Sequence, residues 1–240
     1  MNVRFVFLSC LLAVSSHAAI FDLKNDFSNV NNPNGVWSFT AGTTALTHFS
    51  APTDPTNNLH LAFTSGVWAA ANSSFNSSVM RTTGGPALTT GYTANDFALG
   101  DVLLHSTNPG TGADLFIKWT APQAGTLTYT GGAWYAHSPV NRSQDFSLAL
   151  NGGAALASGT LTSAQNRSNI QAFSSVSLIS VNAGDVLALR FGPTTGFGSI
   201  SGVNFTVNFN PTTSGVPEPS TIALLGSALA GLAFFRRRKA

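Results

Sequence analysis

The sequence contains little charge, one cysteine and one glutamate. Charged residues make up 8% of the 240 residues, and the single cysteine, Cys10, is close to the N-terminus. Because Cys10 precedes the signal-peptide cleavage site expected below, the mature chain would have no disulfides and no thiolate chemistry. The only glutamate is Glu218, so a glycosidase-like carboxylate pair would have to come from aspartates. Most aspartates adjoin turn residues, which accounts for them structurally.

Other enzyme signatures are missing as well. Four histidines stand singly, without a second histidine or a cysteine at the spacing of a zinc site: His48, His60, His105 and His137. The pattern Gly198-Ser199-Ile200-Ser201-Gly202 has isoleucine where a nucleophile elbow requires serine. The sequence therefore predicts that the chain is not an enzyme.

The positive charge of the chain lies at its two ends. The whole chain has a net charge of +2 and a pI near 9.0. Between residues 20 and 216, however, six lysines and arginines face eight aspartates, and six minus eight gives −2. A domain with this balance lacks the basic surface that nucleic acid requires, so we expect no nucleic-acid partner.

The N-terminus has the features of a secretory signal peptide. Arg4 precedes an apolar run over residues 5–14, and small residues follow, among them Ser16 and Ala18. This order of cation, apolar run and small residues predicts a signal peptide over residues 1–18, cleaved before Ala19. Cleavage after Ala19 is the alternative.

Period-two alternation dominates the region between residues 19 and 209. Large apolar residues recur at every second position in six segments, represented by Trp37, Leu115, Leu127, Phe146, Leu187 and Val203. Residues 59–63 follow the same pattern, and Asn151-Gly152-Gly153 is typical of a hairpin turn. No segment keeps helical periodicity for three turns. The sequence predicts an all-β ectodomain, an antiparallel β-sandwich whose sheets each have one solvated face.

Residue type alone suggests two candidate binding sites, one for a sugar and one for calcium. Trp134 and Tyr135 are neighbours on a predicted strand, so one of them should point outward, where it would stack on a sugar ring. Asp22 and Asp26 lie in an asparagine-rich turn region and are candidate calcium ligands. No other cofactor is expected.

The C-terminus combines an apolar run with a basic end. Residues 222–235 carry no charge, and as a helix they would be about 21 Å long. Four cations follow directly: Arg236, Arg237, Arg238 and Lys239. Because a core helix rarely ends in a fully solvated cluster of cations, we expect a transmembrane helix over residues 221–235 rather than a buried one. The basic tail, residues 236–239, should stay cytoplasmic.

Pro217, Glu218 and Pro219 precede this run. The two prolines fix φ and favour an extended segment around the carboxylate. With the apolar run and the basic tail, this motif resembles the PEP-CTERM sorting signal of Gram-negative bacteria. The resemblance implies that an exosortase recognises Pro217, Glu218 and Pro219, that membrane anchoring is transient, and that the processed protein reaches the cell surface or an extracellular matrix containing exopolysaccharide.

The chain is thus expected to comprise four parts: the signal peptide, an ectodomain over residues 19–209, a linker over 210–215 and a sorting signal over 216–240. Short segments such as Trp119-Thr120-Ala121-Pro122 and Ala183-Gly184-Asp185 make the ectodomain similar to jelly-roll or galactose-binding-like sandwiches of PEP-CTERM proteins. That likeness bears on the fold more than on the function. The alternative function is a carbohydrate-binding module that holds a glycan through Trp134 and Tyr135, and a polysaccharide hydrolase is a distant third.

Overall fold

The computed structural model describes six stretches of the chain, residues 17–50, 66–71, 76–85, 91–108, 112–194 and 197–212. Residues 18–210 form one compact unit; a second unit combines Met1–His17 with Pro211–Ala240, nearly all of it outside these stretches. The predictions for the signal-peptide core, the strand at residues 59–63 and the sorting signal with its helix and basic tail therefore lie outside the described residues.

The described residues fold as strands arranged in two antiparallel sheets. The larger sheet contains nine strands within the described stretches: β1 (Ala19–Asp22), β4 (Thr47–Phe49), β5 (Val67–Ala69), β6 (Ser78–Arg81), β7 (Val102–His105), β9 (Gly125–Tyr135), β12 (Gln171–Ser174), β13 (Ile179–Val181) and β15 (Ile200–Pro211). Their order is β12–β9–β15–β7–β6–β5–β4, with β1 paired to β15 and β13 paired to β9.

The smaller sheet contains six strands within the same stretches: β2 (Trp37–Ala41), β3 (Thr44–Ala45), β8 (Leu115–Thr120), β10 (Gln144–Leu150), β11 (Ala155–Leu161) and β14 (Val186–Pro193). Their order is β11–β10–β14–β8–β2–β3. The connection from β10 to β11 is a tight turn in which Asn151 and Gly152 have φ of 51° and 69°. The predicted hairpin turn is therefore confirmed, since such turns require positive φ at both central residues.

The alternation in the sequence determines which face of each sheet is buried. Leu189 of β14 pairs with Leu148 of β10 on one side and with Ile117 of β8 on the other, and Ile117 pairs in turn with Phe39 of β2. All four side chains are buried in the main core. Residues from the larger sheet, such as Phe205, belong to the same core, so the two sheets pack face to face as a sandwich.

The larger sheet has a second, smaller core on its opposite face. Trp134, Leu103 and Ile200 pack there against Phe97, which belongs to the segment before β7. Their neighbours along the strands, such as Tyr135 and Leu104, point into the main core. Gly202 permits the close packing, because a Cβ at that position would come within 2.0 Å of the Trp134 ring.

The all-β sandwich predicted from the sequence is confirmed, but one detail was wrong. Both faces of the larger sheet are covered around β7 and β9, whereas one face was expected to be solvated. Within the described stretches no helix is long and apolar enough to cross a membrane.

Candidate functional site

The proposed sugar-stacking residues are both buried. Trp134 and Tyr135 each retain only 1% exposure, so the expectation that one of them faces outward is wrong. Trp134 points into the smaller core and donates its indole N–H to the Asp96 carbonyl oxygen at 2.6 Å. Tyr135 points the other way, into the main core, and its hydroxyl donates to the Val140 carbonyl at 2.6 Å. Neither ring offers a face to a ligand.

The proposed calcium ligands hold a turn together. The Asp26 carboxylate accepts hydrogen bonds from the Asp22 backbone N–H at 2.9 Å and from the Trp37 indole at 3.0 Å. The Asp22 carboxylate accepts from the Asn25 backbone N–H at 2.9 Å and from the Thr206 hydroxyl at 3.2 Å. No group of three or more histidine, cysteine, aspartate or glutamate residues within the described stretches is placed to hold a metal ion. Calcium binding stays a prediction.

Asp96 organises a buried polar cluster that the sequence did not indicate. It is 2% exposed. Its carboxylate accepts four hydrogen bonds, all from neutral donors: the backbone N–H and hydroxyl of Thr93 at 2.7 and 3.0 Å, and those of Ser138 at 2.7 and 2.5 Å. The carboxylate therefore joins the segment before β7 to the segment after β9, on the side of the smaller core.

His137 lies beside this cluster and is stacked on Tyr92. The two rings are nearly parallel, at 2°, with centroids 5.8 Å apart. Burial, together with the positive potential from His105 and Arg142, lowers the pKa of His137 to about 3, while Asp96 acts weakly in the opposite direction. Burial also raises the pKa of Tyr92. At neutral pH the two stacked rings are therefore a neutral imidazole and a neutral phenol, which is a packing arrangement beside the Asp96 carboxylate.

A second buried carboxylate, Asp101, has cationic partners. It is 4% exposed and accepts a hydrogen bond from the Ala98 backbone N–H at 2.8 Å. It also pairs with Arg167 at 2.7 Å and with Lys24 at 3.5 Å. The adjacent Gly100 indicated a turn, and the bond to Ala98 agrees with it. The two ion pairs connect residues 66 and 77 positions apart, which no local pattern reveals.

Comparison with known proteins adds information about the C-terminus. Residues 215–239 match the family model described as the PEP-CTERM protein-sorting motif, and the match contains Pro217, Glu218 and Pro219. The chain ends in a PEP-CTERM sorting motif. The resemblance drawn from the sequence is thereby confirmed: the chain has a PEP-CTERM sorting motif, with a β-sandwich ahead of it.

Solved structures resemble the sandwich only distantly. A family 35 carbohydrate-binding module from Clostridium thermocellum is 17% identical, with a TM-score of 0.29, over 54% of this chain and 86% of that one. The K3 cleaved adhesin domain of Lys-gingipain from Porphyromonas gingivalis is 14% identical, with a TM-score of 0.34, over 81% and 99%. Likenesses at this level do not transfer a ligand to this chain. No curated protein matches its sequence.

Proposed function

We propose that this chain is a non-catalytic cargo protein: it is exported by its signal peptide, held in the membrane by residues 221–235 and released by an exosortase. The match of residues 215–239 to the sorting motif carries the proposal. The destination is the cell surface or an extracellular matrix that contains exopolysaccharide. In this scheme Pro217, Glu218 and Pro219 are recognised by the processing enzyme, while Arg236, Arg237, Arg238 and Lys239 stop transfer through the membrane.

The environment of the aspartates supports a non-catalytic sandwich. A carboxylate that acts as an acid, base or nucleophile has to face a substrate. Each aspartate within the described stretches instead accepts hydrogen bonds or ion pairs from the protein itself: Asp22, Asp26, Asp96, Asp101, Asp114, Asp145 and Asp185. These contacts are structural, and we therefore assign the sandwich no reaction.

The experiment that tests the sorting proposal replaces Glu218 with alanine in a host that contains an exosortase. The Glu218→Ala protein should accumulate at full length in the membrane fraction, whereas wild type should yield a shortened form outside it. Mass spectrometry of the C-terminus measures both. The matched control is Ser214→Ala, which changes a residue just outside the three recognised positions and should mature normally. Normal maturation of Glu218→Ala would contradict the proposal.

A further inference from the structure

A cleft opens at the C-terminal end of β6, next to the ion pairs of Asp101. Its volume is about 290 Å³, and it is lined by Asn29, Arg81, Thr82, Thr83, Leu99 and Gly100. Pockets for small molecules occupy roughly 300–1,000 Å³. The cleft is therefore at the small end of this range, with room for one sugar-sized group.

Two cationic side chains converge at the cleft. The Lys24 ammonium and one Arg81 guanidinium nitrogen lie 3.6 and 4.0 Å from the point that a Cβ on Gly100 would occupy. Gly100 has a φ of 82°, a conformation that favours glycine, so no side chain fills this point. The result is an open cradle between an ammonium and a guanidinium group.

The charges around the cradle do not balance. Asp101 is the carboxylate that contacts this group of cations, and its ion pairs go to Arg167 and Lys24. Arg81 forms no ion pair with any residue of the described stretches. Two cations therefore pair with Asp101 and a third lies beside Gly100, and the surplus positive charge is accessible, because Lys24 and Arg167 are 41% and 38% exposed. Arginine and lysine in such a concave site attract a carboxylate or a sulfate.

The remaining lining residues favour a sugar as the carrier of that anionic group. Asn29 has a buried amide oxygen without a hydrogen-bond partner among the described residues, so no bond through this oxygen fixes the amide in place. Unsatisfied buried polar atoms are rare in native proteins and call for an explanation such as a missing ligand or water. A donor such as a sugar hydroxyl would satisfy the amide once it turned towards the cleft. Leu99, which is 66% exposed, supplies an apolar wall.

We propose that this cleft binds one acidic sugar unit of an anionic polysaccharide, with Arg81 and Lys24 holding its carboxylate or sulfate and Asn29 contacting a neighbouring hydroxyl. A uronic acid combines these groups in one ring, which an acidic peptide does not. The site lies on the sandwich and operates without processing at the C-terminus. Its failure and the failure of the sorting proposal are therefore separable.

The test is a calorimetric titration of the full-length protein in detergent, at low salt, with an oligoglucuronate. Neutral glucose oligomers, inorganic sulfate and poly-glutamate serve as the comparison probes. Arg81→Gln and Lys24→Gln should each weaken oligoglucuronate binding by about tenfold, since hydrogen bonds to charged groups contribute on this scale. The matched control is Lys118→Gln, which removes the same charge from the smaller sheet and should leave the affinity within about twofold.

Binding of oligoglucuronate but not of the neutral oligomer, with losses confined to the two cleft variants, supports the proposal. Equal binding of the neutral oligomer would overturn the role of the anionic group. If sulfate bound as tightly as oligoglucuronate, or poly-glutamate bound more tightly, the assignment of a sugar as the ligand would be overturned. An equal loss in Lys118→Gln would show that only net charge matters. Unfolding curves of each variant confirm that the cleft variants are folded.

Discussion

Asp96 and Asp101 belong to one short segment before β7, and both are almost completely buried, yet the protein satisfies them in different ways. Asp96 accepts its four hydrogen bonds from backbone and hydroxyl groups of Thr93 and Ser138. Asp101 accepts one backbone hydrogen bond and relies otherwise on the charges of Arg167 and Lys24.

This difference separates a structural site from a candidate binding site. The Asp96 carboxylate is 2% exposed and its oxygens already accept four hydrogen bonds from the protein, so it offers no acceptor to a ligand. Around Asp101 the cations outnumber the carboxylate, and their side chains extend into solvent. Of two buried carboxylates in the same segment, the one with neutral partners forms a structural site, and the one with charged partners lies beside a candidate binding site.

The largest expected effect comes from neutralising Asp96. In Asp96→Asn, either orientation of the amide points its NH₂ at a backbone N–H, that of Ser138 or that of Thr93. Neither backbone donor can reverse its role, so we expect a loss of about 2–4 kcal/mol in the free energy of unfolding. Urea denaturation of the full-length chain measures it.

Asp101→Asn is the matched comparison and should cost less, about 1 kcal/mol. The asparagine oxygen can keep the bonds from Ala98 and Arg167, while Lys24 turns into water. The same substitution removes the negative charge that pairs with Lys24 beside the cleft, so oligoglucuronate should bind more tightly. Equal losses of stability in the two variants would contradict the distinction between them.

Local pattern was sufficient to predict the strands of the main core. Leu148 and Leu189 alternate with polar or small neighbours, Ile117 is spaced by two from Leu115 and Trp119, and all three point into the core, because their sheet buries one face. The hairpin at Asn151 and Gly152 was equally local. The sorting motif is contiguous in sequence too, which is why residues 215–239 suffice to recognise it.

The prediction for Trp134 failed for a physical reason. Alternation along a strand indicates opposite faces, but it does not indicate whether a second layer covers the outer face. That layer is supplied by Phe97, which comes from a segment without strand periodicity, 37 residues earlier in the chain. The cleft was missed for a similar reason: Lys24, Arg81 and Gly100 are brought together by strand pairing over long separations.

A smaller effect, on the pH dependence of stability, tests whether the buried cluster beside Asp96 excludes a protonated His137. The pKa of His137 is about 3 in the folded protein, compared with 6.5 for an ordinary histidine. Between these values the unfolded chain binds a proton that the folded chain does not. The contribution of His137 to the free energy of unfolding is therefore fully present above pH 6.5 and is lost as the pH is lowered towards 3. From pH 7 to pH 4 we expect a contribution of roughly 1–3 kcal/mol.

His137→Phe isolates this contribution, because phenylalanine can keep the stack on Tyr92 but cannot titrate. The variant and wild type should have similar stability at pH 7 and should diverge at pH 4, where wild type is the less stable. Urea denaturation across this range provides the measurement. Parallel curves at all pH values would show that a charge on His137 is tolerated and that the cluster is open to water.

The smallest expected effect comes from two glycine-to-alanine substitutions. Comparing them separates the strain of an alanine at positive φ from the loss of space in the cleft. Gly100 and Gly152 have φ of 82° and 69°, so an alanine at either position should cost about 1 kcal/mol in thermal unfolding. A Cβ on Gly100 would also lie 3.3 Å from Cε of Lys24 and fill the cradle, whereas a Cβ on Gly152 would meet no atom within 4 Å. Gly100→Ala should therefore weaken oligoglucuronate binding several-fold, and Gly152→Ala should not. If both variants lost affinity equally, the loss would follow stability, and the cradle over Gly100 would have no part in binding.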